Sequence, residues 1–328
     1  MMNVLYLGPT LPEYTDVIES LLPAGFHLRI VHADSPDLGE RIREADFLVS
    51  FVWITKNMIQ AAPKLKLIQS ITAGCDKIDV EAAARAGIPV ATTSGANAVS
   101  VAEHIFATIL ALSHHIVYAH NAVKEGKWPQ LELFKGKCFE LSGKTIGLVG
   151  FGQIGQAAAG IARAFGMDVL YYRRHRLSPE EESRLEAGYA PLESLLQRAD
   201  IVSIQVPRTP ETEGLLGRAE LSLMKKSALL INTARGGIVD EEALIDCLVE
   251  QRIAGAGLDV FAQEPINPES RLLQMDNVVL TPHTAGAAWE SVRRTLEVSV
   301  ENILRVASGE RPRNLVLPIA RGAETNTP

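Results

Sequence analysis

The stretch Gly150-Phe151-Gly152-Gln153-Ile154-Gly155 constrains this chain more than any other. It follows a short apolar, β-branched run that starts at Lys144, and it opens an amphipathic helical stretch at Gln153. A strand, a G-x-G-x-x-G turn and a helix in that order make the dinucleotide-binding βα unit. Gly150 permits the tight turn. Gly152 lets the amides of Gln153 and Ile154 approach a pyrophosphate without a Cβ clash, and Gly155 lets helix and strand pack closely. A glycine-rich turn without a ligand is the plainer alternative, and the strand-turn-helix context argues against it.

In such units an acidic residue at the end of the second strand accepts hydrogen bonds from the ribose 2′-hydroxyl of NAD. Here the second strand, Asp168–Tyr172, runs into Arg173-Arg174-His175-Arg176, eighteen positions past Gly155, with no carboxylate. Guanidinium forks suit a 2′-phosphate through bidentate, charge-assisted hydrogen bonds. Arg173 and Arg174 therefore point to NADP as the preferred cofactor. A solvated basic loop would carry the same run, which leaves NAD possible.

The rest of the chain supplies a scaffold for this unit. Its 328 residues suit two domains, which would leave a cleft between them. In the first ninety residues, short apolar runs (Asn3–Leu7, His27–Val31, Phe47–Ser50, Leu67–Ile71 and Pro89–Ala91) alternate with helical stretches. That rhythm implies a parallel sheet, because parallel strands need crossover helices. From Val99 a long helical pattern follows, with Ser100 as its N-cap, and marks the crossing between domains. A second series, TIGLVG, MDVLYY, DIVSIQV, ALLINT, GAGLDV and NVVLTP, reads as a Rossmann sheet of six or more strands. Its helices include 153–164, 192–197 and 241–250. A helix from about Trp289 to Ser308 then returns to pack on the first domain, and the polar tail from Arg321 is expected to fray. The fold class is thus α/β, two doubly wound parallel-sheet domains: a flavodoxin-like substrate domain, 1–98 with 288–328, and an inserted Rossmann domain, 99–287.

A formal net charge of −7 and an isoelectric point near 5.7 argue against nucleic acid or an anionic membrane as partner. Three scattered cysteines, Cys75, Cys138 and Cys247, give neither a disulfide framework nor a metal site. The chain opens directly on a strand, with no basic leader and no apolar run long enough to span a bilayer. A reducing, cytoplasmic setting is the expectation.

Three further segments end strands of the second series, where open α/β sheets bind their ligands. Arg235, flanked by Ala234 and Gly236, can reach a bound carboxylate. Asp259 closes its own strand and can hydrogen-bond a nicotinamide carboxamide, and Glu264 and His283 lie nineteen residues apart. Reduction of a ketone by hydride builds negative charge on oxygen, so it needs an aligned proton donor and a nearby cation. His283 and Arg235 meet those needs, with Glu264 orienting the imidazole and stabilising its protonated form. Singly, each has a duller reading as a surface ion pair, a loop carboxylate or a packing residue; together, at successive strand ends below a dinucleotide fingerprint, they point to chemistry. His104, His114, His115 and His120, on the long helix without carboxylate partners, read as solvated or interface residues.

From about Phe47 to Pro312 the chain resembles the D-isomer-specific 2-hydroxyacid dehydrogenase family, most specifically in Gly150–Gly155, INTARGGIVD, GLDVFAQEP and TPHTAG. The resemblance implies Arg235, Glu264 and His283 as the catalytic trio. It also implies that Asp259, Pro207, Thr233 with Ala234, and Gly286 line the cofactor. The turn Thr72-Ala73-Gly74-Cys75-Asp76 resembles the family's substrate-carboxylate turn, which makes Ala73 and Gly74 substrate-binding alongside Arg235 and His283. Asn97–His104 resembles a stretch that approaches the nicotinamide in relatives, and the segment around Trp128-Pro129 resembles their subunit-crossing arm, so a homodimer is implied.

Arg173 departs from the Asp of NAD-using relatives and resembles NADPH-dependent glyoxylate and hydroxypyruvate reductases. A small 2-ketoacid is then the substrate, with pocket lining from residues such as Phe51, Val52, Trp53 and Trp289. An NAD-dependent D-2-hydroxyacid or phosphoglycerate dehydrogenase is the alternative; the extra regulatory domain seen in many phosphoglycerate dehydrogenases is not expected here, which weakens the phosphoglycerate assignment alone. A nucleotide-sensing, corepressor-like binding protein is the alternative from another class. Formate-specific relatives lack this Glu-His pairing.

Overall fold

The computed structural model describes residues 1–135 and 138–317 and divides the chain into two compact units, Met1–Asn97 with Trp289–Pro328, and Ala98–Ala288. The tail from Arg321 lies outside the described residues.

The first unit contains β1 (Met2–Leu7), β2 (Phe26–Val31), β3 (Phe47–Ser50), β4 (Leu67–Ser70) and β5 (Val90–Ala91), parallel in the order β2-β1-β3-β4-β5. This is the flavodoxin-like order. The second unit contains β6 (Thr145–Val149), β7 (Asp168–Tyr172), β8 (Gly188–Tyr189), β9 (Ile201–Ile204), β10 (Leu229–Asn232), β11 (Gly255–Leu258) and β12 (Val278–Leu280). They run parallel in the order β8-β7-β6-β9-β10-β11-β12, so the winding reverses between β6 and β9. A last strand, β13 (Leu315–Val316), pairs antiparallel with β5 at the edge of the first sheet. The sequence patterns missed β8 and β13, two residues each, whereas the equally short β5 was marked by the strand-helix rhythm of the first ninety residues.

Strands β3, β4, β9, β10 and β11 are buried at every position, as expected of parallel strands covered by helices on both faces. Apolar clusters fill both sides of each sheet. Each fully buried Leu or Ile contributes about 1.5–3 kcal/mol relative to exposure. The C-terminal helix, Trp289–Ala307, packs on β4 and on the helix Pro12–Leu21, with Leu296, Val300 and Ile303 buried.

The long helical pattern after Asn97 is two helices, Ala98–Ser113 and Ile116–Lys124, bent by 62°. His115 between them adopts φ 51°, a left-handed conformation that ends the first helix. Because the first helix starts at Ala98, Ser100 lies inside it and is not the expected N-cap; its hydroxyl donates to the Ala285 carbonyl instead. Among the described residues, no single helix is long and apolar enough to cross a membrane.

Candidate active site

Strand register sets the geometry of the site. Tyr172, Val149, Ile204, Asn232, Leu258 and Leu280 pair side by side across the second sheet. The next residue on each strand, Arg173, Gly150, Gln205, Thr233, Asp259 and Thr281, therefore stands on one carboxyl edge, where such sheets bind ligands.

At the β6 end, Gly150 turns at φ 102°, and a Cβ there would lie 2.6 Å from the Gln205 carbonyl oxygen. A Cβ on Gly155 would lie 2.5 Å from the Gly150 carbonyl oxygen, whereas one on Gly152 would meet nothing within 4 Å. Gly152 thus borders open space at the start of the helix Gln153–Ala164, whose N-cap receives no side-chain hydrogen bond. Uncapped amides and the positive end of the helix dipole suit a pyrophosphate. Gln205 Oε1 and Thr233 Oγ1 on the same edge are buried without a hydrogen-bond partner among the described residues. Such atoms are costly to leave unpaired, and a polar ligand along the edge would satisfy them. The residues present fit a dinucleotide.

Arg173 follows β7 directly and is half-buried. Arg174 is exposed and lies near Glu211, whose carboxyl is held below its usual range by a hydrogen bond from Thr209 and, in smaller part, by Arg174. Arg176 is drawn out of the run. It binds Glu182 with two hydrogen bonds of 2.8 Å and lies over the Tyr189 ring. Hydrogen bonds from Arg176 and then Tyr171 hold the Glu182 carboxyl down at about 2.

At the other end of the edge, Asn232 shapes the arginine turn: its Oδ1 accepts from the Ala234 amide and its amide nitrogen donates to the Arg235 carbonyl. The Arg235 guanidinium donates to the Ala234 carbonyl at 2.7 Å. Gly236 is needed because a Cβ would fall 1.7 Å from the Phe261 carbonyl oxygen, so this turn packs directly on the loop that carries Glu264. Glu264 Oε1 accepts from the Phe261 amide, and Oε2 accepts from His283 Nδ1 at 2.7 Å. The side chains of His283 and Glu264 are 47% and 37% exposed, so the imidazole is open to a ligand. With Nδ1 donating to the carboxylate, Nε2 is the nitrogen free to exchange a proton.

His283 itself sits at φ 56°, a left-handed conformation rare outside glycine and found preferentially at functional sites. Asp259 holds it there. The Asp259 carbonyl accepts from the His283 amide at 2.8 Å, its Oδ1 from the Thr284 amide and the Thr281 hydroxyl, and its Oδ2 from the Ala285 amide. The carboxylate is 1% exposed. Asp259, expected to face the nicotinamide, is first the anchor of the histidine turn, with Gly286 following directly on that anchor. His104, read from sequence as lacking a carboxylate partner, has one: its Nε2 lies 3.7 Å from Asp259 Oδ1 and 3.0 Å from Thr281 Oγ1. Its spacing from Ser100 and Thr108, one helical turn each way, was the signal available. Gln205, also missed, stands two residues before the expected Pro207, which is exposed.

In the first unit, the Thr72–Asp76 turn follows β4. The Ser70 and Thr72 hydroxyls both donate to the Gly74 carbonyl at 2.9 Å, which shapes the backbone around Ala73 and Gly74.

Residues 106–285 match the family model described as D-isomer specific 2-hydroxyacid dehydrogenase, NAD binding domain. A glyoxylate reductase of Thermococcus litoralis is 44% identical over 285 residues, 84% of this chain and 85% of that one. Among solved structures, a Thermus thermophilus protein matches with TM-score 0.84 at 36% identity, over 96% of this chain and 100% of that one. An acyclic imino acid reductase in complex with NADPH and D-Arg matches with TM-score 0.82 at 33% identity, over the same shares.

Proposed function

The chain belongs to the D-isomer specific 2-hydroxyacid dehydrogenase family and is an NAD(P)-dependent oxidoreductase; from that premise we propose that it reduces glyoxylate or hydroxypyruvate to the 2-hydroxy acid, of D configuration where C2 is chiral, with NADPH as the preferred reductant. The observation that carries this reading is the exposed His283–Glu264 pair on the ligand edge, at 2.7 Å, one loop away from Arg235. The glyoxylate reductase relative at 44% identity supports the substrate class.

Arg235 holds the substrate carboxylate through its guanidinium fork and stabilises negative charge developing on the keto oxygen. His283 Nε2 gives that oxygen its proton, while Glu264 keeps the ring oriented through Nδ1. When bound, NADPH supplies the hydride that C2 receives. In the oxidative direction, neutral His283 accepts the hydroxyl proton. Gly150, Gly152, Gly155 and the amides of Gln153 and Ile154 hold the pyrophosphate, and Thr233, Ala234, Pro207 and Gly286 line the remainder of the dinucleotide. An ionised carboxylate has about four acceptor sites, and the one left at Asp259 Oδ2 is assigned to the carboxamide.

Arg173 and Arg174 are assigned to the 2′-phosphate, because the Arg173 side chain makes no hydrogen bond or ion pair among the described residues whereas Arg176 is held by Glu182. The related imino acid reductase, in complex with NADPH, is in keeping with this. In the first unit, the backbone amides of Ala73 and Gly74 serve as an anion-holding turn. Homodimerisation is supported by the exposed apolar side chains of Trp128, Leu131 and Phe134, which cluster within one short segment. We assign the protein to the cytoplasm.

The test is a panel assay of NADPH and NADH oxidation against glyoxylate, hydroxypyruvate, pyruvate, a bulky 2-ketoacid and 2-ketogluconate. The highest kcat/KM is expected with NADPH and one of the first two. Best turnover of a bulky acid would overturn the substrate assignment, and equal rates with NADH would remove the cofactor preference.

A further inference from the structure

We propose that His104 is a positioning residue for His283, acting through Thr281 and Asp259. The inference rests on His283 being the proton donor of the proposed reduction.

Hydrogen counting sets the direction of the relay. The Thr281 hydroxyl has one hydrogen, and it goes to Asp259 Oδ1 at 2.6 Å. Toward His104 Nε2, at 3.0 Å, the same oxygen can only accept. His104 Nε2 therefore carries a hydrogen, and the donors run in one direction, from imidazole to hydroxyl to carboxylate. Each bond in such a chain polarises the next. The carboxylate at its end is 1% exposed, and His104 Nε2 lies 3.7 Å from it. A buried carboxylate needs compensation of this kind.

The helix Ala98–Ser113 grips both ends of the histidine turn. Ser100 Oγ donates to the Ala285 carbonyl at 2.8 Å, and His104 reaches Thr281. Residues four apart share one face of a helix, so the two contacts come from one stripe. Thr108 continues that stripe onto β11, so close that a Cβ on Gly257 would lie 2.1 Å from its methyl group. The helix is thus seated flush on the strand that ends in Asp259. His283 keeps its left-handed backbone because the surrounding contacts over-determine it, and His104 closes that set from the helix side.

His104→Leu removes the donor while keeping an apolar side chain of moderate size. His104→Gln restores an N–H at similar reach. With glyoxylate and NADPH, kcat is expected to fall roughly 10- to 100-fold in His104→Leu, the cost of misplacing a reacting group by about 1 Å. The KM for NADPH should change less than kcat, since the pyrophosphate is held at the β6 end, and His104→Gln should recover most of the lost kcat. Thr281→Val should lose as much as His104→Leu, and the double variant no more than the worse single one. Unchanged kcat in His104→Leu, a glutamine variant no better than the leucine one, or losses that multiply in the double variant would each overturn the proposal.

A second readout does not depend on turnover, so it separates failure of this inference from failure of the proposed reaction. Nitrogen NMR of labelled histidines should find His104 Nε2 protonated in the wild-type protein. The His283 Nδ1–H bonded to Glu264 should exchange faster in His104→Leu. An unprotonated Nε2, or an unaltered His283 signal, would sink the relay even in a fully active enzyme. Inactivity of the wild-type protein toward every 2-ketoacid would instead count against the reaction itself.

Discussion

At the β6–β7 end of the second sheet the ligand edge is shaped by side chains that are missing. Gly150 turns where a Cβ would strike the Gln205 carbonyl, Gly155 sits against the Gly150 carbonyl, and Gly152 borders open space. At the β11–β12 end the same edge is shaped by side chains that hold one another, with Asp259 fastening the turn of His283 and Glu264 fastening its ring. The two ends need different things from the chain. A pyrophosphate is recognised by backbone amides that must come close, so it needs room. A proton donor must meet one oxygen in one geometry, so it needs bracing. Substitutions of the glycines at the first end should therefore alter dinucleotide affinity, and those of His283 and Glu264 at the second should alter turnover.

The largest effect is expected for His283→Ala, which should lower kcat by about two to four orders of magnitude, the usual worth of a positioned general acid. Its NADPH affinity, read by nicotinamide fluorescence, should be near wild type; a matching loss of affinity would break the division between the two ends. Next comes Gly150→Ala, which forces an alanine to φ 102° and drives its Cβ against the Gln205 carbonyl. Strain of about 1–3 kcal/mol is expected, together with weaker NADPH binding. Thermal melts and a fluorescence titration would check both, and wild-type affinity in a folded Gly150→Ala protein would contradict the crowding argument.

A smaller and more selective effect is expected for Arg173→Asp. Loss of one charge-assisted contact and gain of a repulsive carboxylate should lower the NADPH-to-NADH ratio of kcat/KM by about tenfold or more. An unaltered ratio would assign 2′-phosphate recognition to other residues and sharpen the map of this end. The smallest effect is expected for Glu182→Gln. Glu182 titrates at about 2 in the folded protein against an ordinary 4.5, through its hydrogen bonds from Arg176 and Tyr171. Its stabilising contribution is complete above about pH 4.5 and is lost as pH falls toward 2. The variant should therefore melt slightly lower at neutral pH and converge with wild type in acid. Melting curves that stay parallel across that window would show that the carboxylate is not linked to stability.

Much of the scaffold and the positions of several expected site residues were legible in the sequence, and the misses have definite physical causes. The helix 153–164 and the strand ends could be read because each depends on local spacing, and Glu264 and His283, expected as a pair, lie 2.7 Å apart. Strands β8 and β13, two residues each, escaped because no regular strand-helix rhythm marks them as it marks the equally short β5. The break at His115 escaped because nothing in an apolar helical pattern announces a left-handed histidine. Ser100 was misread as a cap because its partner, the Ala285 carbonyl, lies 185 residues away. Asp259 was correctly placed at a strand end, but its commitment to the histidine turn could not be read from that position alone.

By itself the sequence determined the two strand-helix series, the glycine turn with its arginine-ended second strand, and the family, since all of these are patterns of neighbouring residues. Only the tertiary structure decided that Arg173, Gln205, Thr233, Asp259 and Thr281 share one edge, and that His104 rather than any other helix histidine faces the buried carboxylate. The reason is register: which residues of distant strands stand side by side, and which helix face lies on them, is set by packing the whole core at once and is written in no single stretch of chain.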